Sequence, residues 1–105
     1  MIIKFNTDKT INGDERKEAF FTKQISEALQ RFDSKITRVK VHLKDKNGKK
    51  EGFNTMACIM EARIEGRQPI AVSSQSNTTE QAISDATEKL KASLKTILGQ
   101  MQSHR

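Results

Sequence analysis

Apolar residues recur along this chain at two spacings, every second residue in some stretches and every third or fourth in others. The first spacing marks an extended strand with one buried face, and the second marks a helix with one apolar stripe. Residues 2–6 place Ile3 and Phe5 on one side and Ile2 and Lys4 on the other, which predicts a first strand. Phe21, Ile25, Ala28, Leu29 and Phe32 then fall on one helical stripe, with Phe20 beside it. Asn12 suits the start of that helix because its side chain accepts from free backbone N–H groups. Glu15 stands three residues on as in a capping box, and Asp14 and Glu15 complement the positive helix end. Asp33-Ser34-Lys35 ends it.

Residues 36–44 alternate most clearly, Val39, Val41 and Leu43 pointing one way and Arg38, Lys40, His42 and Lys44 the other. Asn47-Gly48 follows, a pair that tolerates the positive φ of a type I′ hairpin turn. The returning strand is expected over residues 53–64, with Met56, Cys58, Met60, Ala62 and Ile64 on one face. Thr55, Ala57, Ile59, Glu61 and Arg63 take the other face. Glu65-Gly66-Arg67-Gln68 makes the next turn, Pro69 marks its exit, and residues 70–75 form a fourth strand with Ile70 and Val72 toward the core. Thr78 and Gln81 form a T-x-x-Q capping box. Beyond it Ile83, Ala86, Leu90, Leu94, Ile97 and Met101 step along a second helix. Gly99 weakens its last turn, so the ordered core is expected over about 1–100 with a frayed tail at 101–105.

The expected order is β-α-β-β-β-α, in a single domain spanning residues 1–105. Consecutive antiparallel strands leave one apolar face to cover, and two helices with one stripe each can cover it. The fold class is therefore α+β: a two-layer sandwich, a four-stranded sheet with two helices packed on one face. The other face stays open to water and carries Arg38, Lys40, His42 and Lys44 in a row, with neighbours about 7 Å apart at two strand rises each. Such a row can follow a phosphate backbone.

Charge sharpens this picture. The formal net charge is +6, and residues 33–51 supply most of it, with seven bases against three acids. Residues 14–32 and 79–100 each balance to zero. A localised basic excess favours a nucleic acid, an anionic membrane or an acidic partner. No apolar run approaches the roughly 18 residues of a membrane span, so no membrane role is expected. The N-terminal stretch lacks the apolar run of a signal peptide, and the lone Cys58 suits a reducing compartment, so the expected location is cytoplasmic. With no Trp or Tyr, base stacking would fall to the five phenylalanines and two histidines. Catalysis needs a nucleophile or metal with partners. Cys58 lies on a strand's core face, His104 lies in the tail, and His42 reads as a solvated strand residue or an RNA contact. No metal-ligand spacing and no phosphate-binding glycine motif occurs, so no enzyme, no small-molecule substrate, no cofactor and no metal is expected.

The strings INGDERKEAF, ALQRFDSKITRVKVHL and QAISDATEKLKASL, in this order, resemble the ribosome hibernation promoting factor and ribosome-associated inhibitor A family, also called the sigma-54 modulation protein family. The resemblance implies a non-enzymatic stress-response factor that binds small-subunit rRNA near the decoding region, inhibits translation and protects idle ribosomes. Its RNA contacts would come largely from helix and loop cations. Lys89 matches the lysine of the family's K-L pair, and Arg31 matches a basic position before the aromatic that ends the first helix. Lys91, Lys95 and Lys23 are further helix candidates, and Arg38, Lys40, His42 and Lys44 are the strand candidates. The chain departs from the family's K-L-x-R-Q-L-x-K at Ala92 and Thr96; Lys91 and Lys95 each stand one residue earlier, about 100° around the helix. Two alternatives stay open. One is a general double-stranded RNA-binding module, although the final helix here begins TTEQAISDA without the lysine cluster such a module uses. The other is a protein-interaction or dimerisation domain that has lost ribosome binding, with Ala57 and Ile59 as its exposed apolar residues. The expected state is a monomer or weak dimer.

Overall fold

The computed structural model describes residues 1–7, 15–45 and 56–103 of the chain. Strands β1 (Ile2–Thr7), β2 (Ile36–Asp45), β3 (Met56–Ile64) and β4 (Ile70–Ser76) form one sheet in the order β1-β2-β3-β4. Helix α1 (Glu15–Ala28) crosses from β1 to β2, and helix α2 (Thr79–Ser103) follows β4. β1 runs parallel to β2, while β2–β3 and β3–β4 are antiparallel. The result is the α+β sandwich read from the sequence. The Asn47-Gly48 turn, the Asn12 cap, residues 53–55 and His104 lie outside the described residues, and nothing is described of the Met101 side chain.

The core lies between the helices and the inner sheet face. Ile25, Leu29, Val39, Val41, Cys58, Met60, Ile83, Leu90 and Leu94 are its largest fully buried side chains, and Ile3, Phe5, Ile70 and Val72 pack against its margin. Alternation places every second residue of each strand inward. β2 breaks that rule at one point: the register slips between Ile36 and Arg38, and the extra residue Thr37 makes a bulge. Ile36 and Val39 therefore both face inward, 2% and 0% exposed, despite their odd spacing. The Thr37 hydroxyl donates to the Arg63 carbonyl across the bulge.

Two helical details depart from the periodic reading. The first helix does not run unbroken to Phe32; it tightens after Ala28 into a 3-10 turn (Gln30–Phe32). The tightened turn still buries Phe32. In α2 the stripe passes from Leu94 to Leu98, with Ile97 only half-buried, because successive four-residue steps follow the groove over the sheet. Thr87 joins the stripe and stays satisfied by donating to the Ile83 carbonyl at 2.6 Å. Thr78 caps α2 by accepting from the Gln81 N–H at 3.1 Å, but Gln81 does not close the reciprocal bond; its amide donates to Asp85 instead. The β3–β4 turn uses Gly66 at φ +76°, which suits the third position of a type II turn, and the Arg67 N–H donates to the Ile64 carbonyl.

Candidate nucleic-acid interface

Register assembles the open sheet face into rows. Ile2, Arg38 and Arg63 form the first; Lys4, Lys40, Glu61 and Ala71 the second; Asn6, His42, Ile59 and Ser73 the third; Lys44, Ala57 and Gln75 the fourth. The predicted strand set of Arg38, Lys40, His42 and Lys44 thus runs down β2 on one face, and the structure adds Lys4 and Arg63 on either side. Arg63 was legible from the alternation of β3. Lys4 was not, because no local signal says that β1 lies beside β2. The only ion pair among the described residues joins the Met1 amine to Asp33, so none of these face cations is paired there. Glu61 is the one acid among them.

Apolar groups interrupt this basic face. Ile59 is 44% exposed and Ile2 55% exposed. Ala57, expected to be exposed with Ile59, is buried: it sits between Lys44 and Gln75 in register, and a single methyl there shows little surface. Around Ile59 the sheet forms a bowl of about 390 Å³ walled by Lys4, Asn6, Lys40, His42 and Glu61.

The helix candidates lie in the opposite layer. Arg31, in the middle of the 3-10 turn, and Lys91, in mid-α2, meet at an open hollow of about 410 Å³ with Glu27, Ala28 and Gln30. The Arg31 guanidinium stands 5.2 Å from the centre of the Phe32 ring, a cation–π distance that steadies an exposed side chain. Lys95 is exposed one turn beyond Lys91. Lys23 is exposed on α1, about 12 Å of helix rise before Arg31. Lys89 separates from the group: its ammonium donates to the Ser73 carbonyl at 2.8 Å, on the outer edge of β4. The structure therefore brings Arg31 and Lys91 together, leaves Lys95 one turn further along α2, holds Arg38, Lys40, His42 and Lys44 on the other face, and anchors Lys89 at the sheet edge.

Nothing in the core adds nucleophilic chemistry. Cys58 is fully buried, and burial pushes its thiol up to about 12, so it stays protonated and inert at neutral pH. No cluster of three or more His, Cys, Asp or Glu residues that could hold a metal occurs among the described residues. No described helix is long and apolar enough to cross a membrane.

The family model described as "Sigma 54 modulation protein / S30EA ribosomal protein" matches residues 6–102. Among solved structures, the chain is similar to the N-terminal domain of Protein Y from Thermus thermophilus, with a TM-score of 0.73 and 16% identity over 92% of this chain and 99% of that one. It is also similar to a ribosomal subunit interface protein from Coxiella burnetii, with a TM-score of 0.77 and 12% identity over 94% and 99% of the two chains. At such identities these likenesses show the fold. No curated protein sequence matches the chain significantly.

Proposed function

Because the chain belongs to the sigma 54 modulation protein / S30EA ribosomal protein family, we propose that it is a non-enzymatic, cytoplasmic factor that binds small-subunit rRNA near the decoding region. There it inhibits translation and protects idle ribosomes under stress. The observation that carries this reading is the family match over residues 6–102, a span that contains every candidate cation but Lys4. The name of the Coxiella burnetii neighbour, a ribosomal subunit interface protein, supports a ribosomal partner.

The helix layer is the face that suits a folded RNA. Arg31 and Lys91 meet at the hollow between the helices, and the exposed Lys95 and Lys23 extend the set along α2 and α1. Phosphate contacts of this kind read the shape of RNA and carry no base sequence. Lys89 contributes charge at the sheet edge while its ammonium holds Ser73.

Co-sedimentation with small ribosomal subunits tests the reading. The wild type is expected to pellet with subunits at low salt and to be released as salt rises. Lys91→Glu with Lys95→Glu is expected to weaken binding about tenfold or more, because reversal puts repulsion where attraction stood. Absence of binding at low salt overturns the proposal. Tight binding to a plain RNA duplex without subunit binding assigns the general duplex-binding role instead.

A further inference from the structure

We infer that the open face of the sheet is a second RNA site, which takes one unstacked nucleotide of a single strand in the bowl around Ile59. This deepens the ribosomal reading and rests on it for the nature of the strand. The bowl encloses about 390 Å³, in the lower part of the roughly 300–1,000 Å³ range of small-ligand sites. It is polarised. Lys4 and Lys40 stand opposite each other on neighbouring strands, and Glu61 follows in the same row. Neither lysine forms an ion pair among the described residues, so both ammonium groups are open to an anion. The next row sets Asn6, His42 and Ile59 side by side. Ile59 is one of only three large apolar side chains exposed among the described residues.

A nucleotide matches this arrangement piece by piece. Its phosphate meets Lys4 and Lys40. Its base lies flat on Ile59 and the His42 imidazole, a platform of the kind that holds unstacked bases. Asn6 offers donors and an acceptor, and the Glu61 carboxylate accepts from ring N–H or amino groups. A bare phosphate would leave Ile59 and Glu61 unused, and an acidic peptide would set a carboxylate against Glu61. The bases of a duplex are stacked away and cannot reach the floor. The face is also turned away from the helix cations, so both sites can fill at once.

Nuclear magnetic resonance on the full chain tests the site, following the Ile59 methyl and His42 ring signals. The probes are single-stranded RNA hexamers of each base, an RNA duplex and inorganic phosphate. The expected result is an upfield shift of both signals with a single-stranded hexamer and not with the duplex or phosphate. Ile59→Thr and His42→Thr keep strand-forming residues, and each is expected to weaken hexamer binding about fivefold or more. Equal shifts with phosphate alone, or no change in affinity for either variant, overturn the site. Ile59 shifts that grow with protein concentration without RNA also overturn it and assign the face to a second copy of the chain. Subunit co-sedimentation run beside the titration separates the two proposals. Subunit binding without hexamer shifts removes only the sheet site, and hexamer shifts without subunit binding uphold the sheet site and remove the ribosomal reading.

Discussion

Cys58 shows how one residue's chemistry is decided by its neighbours. It stands on the inner face of β3 two residues from Met56 and two from Met60, all three buried. A thiolate there would lose its hydration with no cation in exchange, so its pKa rises to about 12. In the unfolded chain the thiol ionises near its ordinary value. The native state therefore binds the extra proton between the two values, and stability falls as pH rises through that window. At pH 8 a thiol-labelling reagent is expected to modify the native protein at least about 100-fold more slowly than the denatured chain. Labelling at comparable rates would contradict the burial. Alternation alone identified Cys58 as a core residue, because a period of two fixes which face each side chain takes.

At the scale of elements, α2 and β4 are joined by polar as well as apolar contacts. The Ser74 hydroxyl donates to the Ala82 carbonyl from the inner face, and Lys89 reaches the Ser73 carbonyl from outside. β4 is an edge strand, so its outer carbonyls have no ladder partner, and Lys89 occupies one of them. Lys89→Ala is expected to lower unfolding stability by about 0.5–1.5 kcal/mol in urea denaturation, the net worth of one such bond. A change within about 0.2 kcal/mol would show that the ammonium is free for other work. The helical and strand periods of α2, β2 and β3 were plain in the sequence. Three features were not. The Thr37 bulge puts Ile36 and Val39 on one side against their spacing, and nothing local announces it. The parallel pairing of β1 depends on a crossover through α1 and so on long-range packing. The shift of the α2 stripe to Leu98 depends on where the sheet lies beneath the helix.

The whole molecule presents two unlike surfaces. The helix layer joins Arg31 and Lys91 at one hollow and exposes Lys95 a turn beyond, while the sheet face carries Arg38, Lys40, His42 and Lys44, widened by Lys4 and Arg63. As residue types all were legible in the sequence. Their division between opposite faces was legible too, because the period of two put the strand cations on the face that the helices leave open; the place of Lys4 beside Lys40 was not, since it follows from the long-range pairing of β1 with β2. That division separates roles that a single charge count would merge: a helix surface for folded RNA and a shallow bowl for a single nucleotide. The first depends on the chain binding ribosomal RNA, and an equilibrium titration of purified small subunits across a range of salt concentrations measures this most directly. Each neutralised phosphate contributes roughly 0.7–0.9 to the fall of log affinity with log salt. With three or four cations engaged, the predicted slope is about −2 to −3.5, with tight binding at low salt. No binding at low salt, or binding whose affinity does not change with salt, would contradict the account.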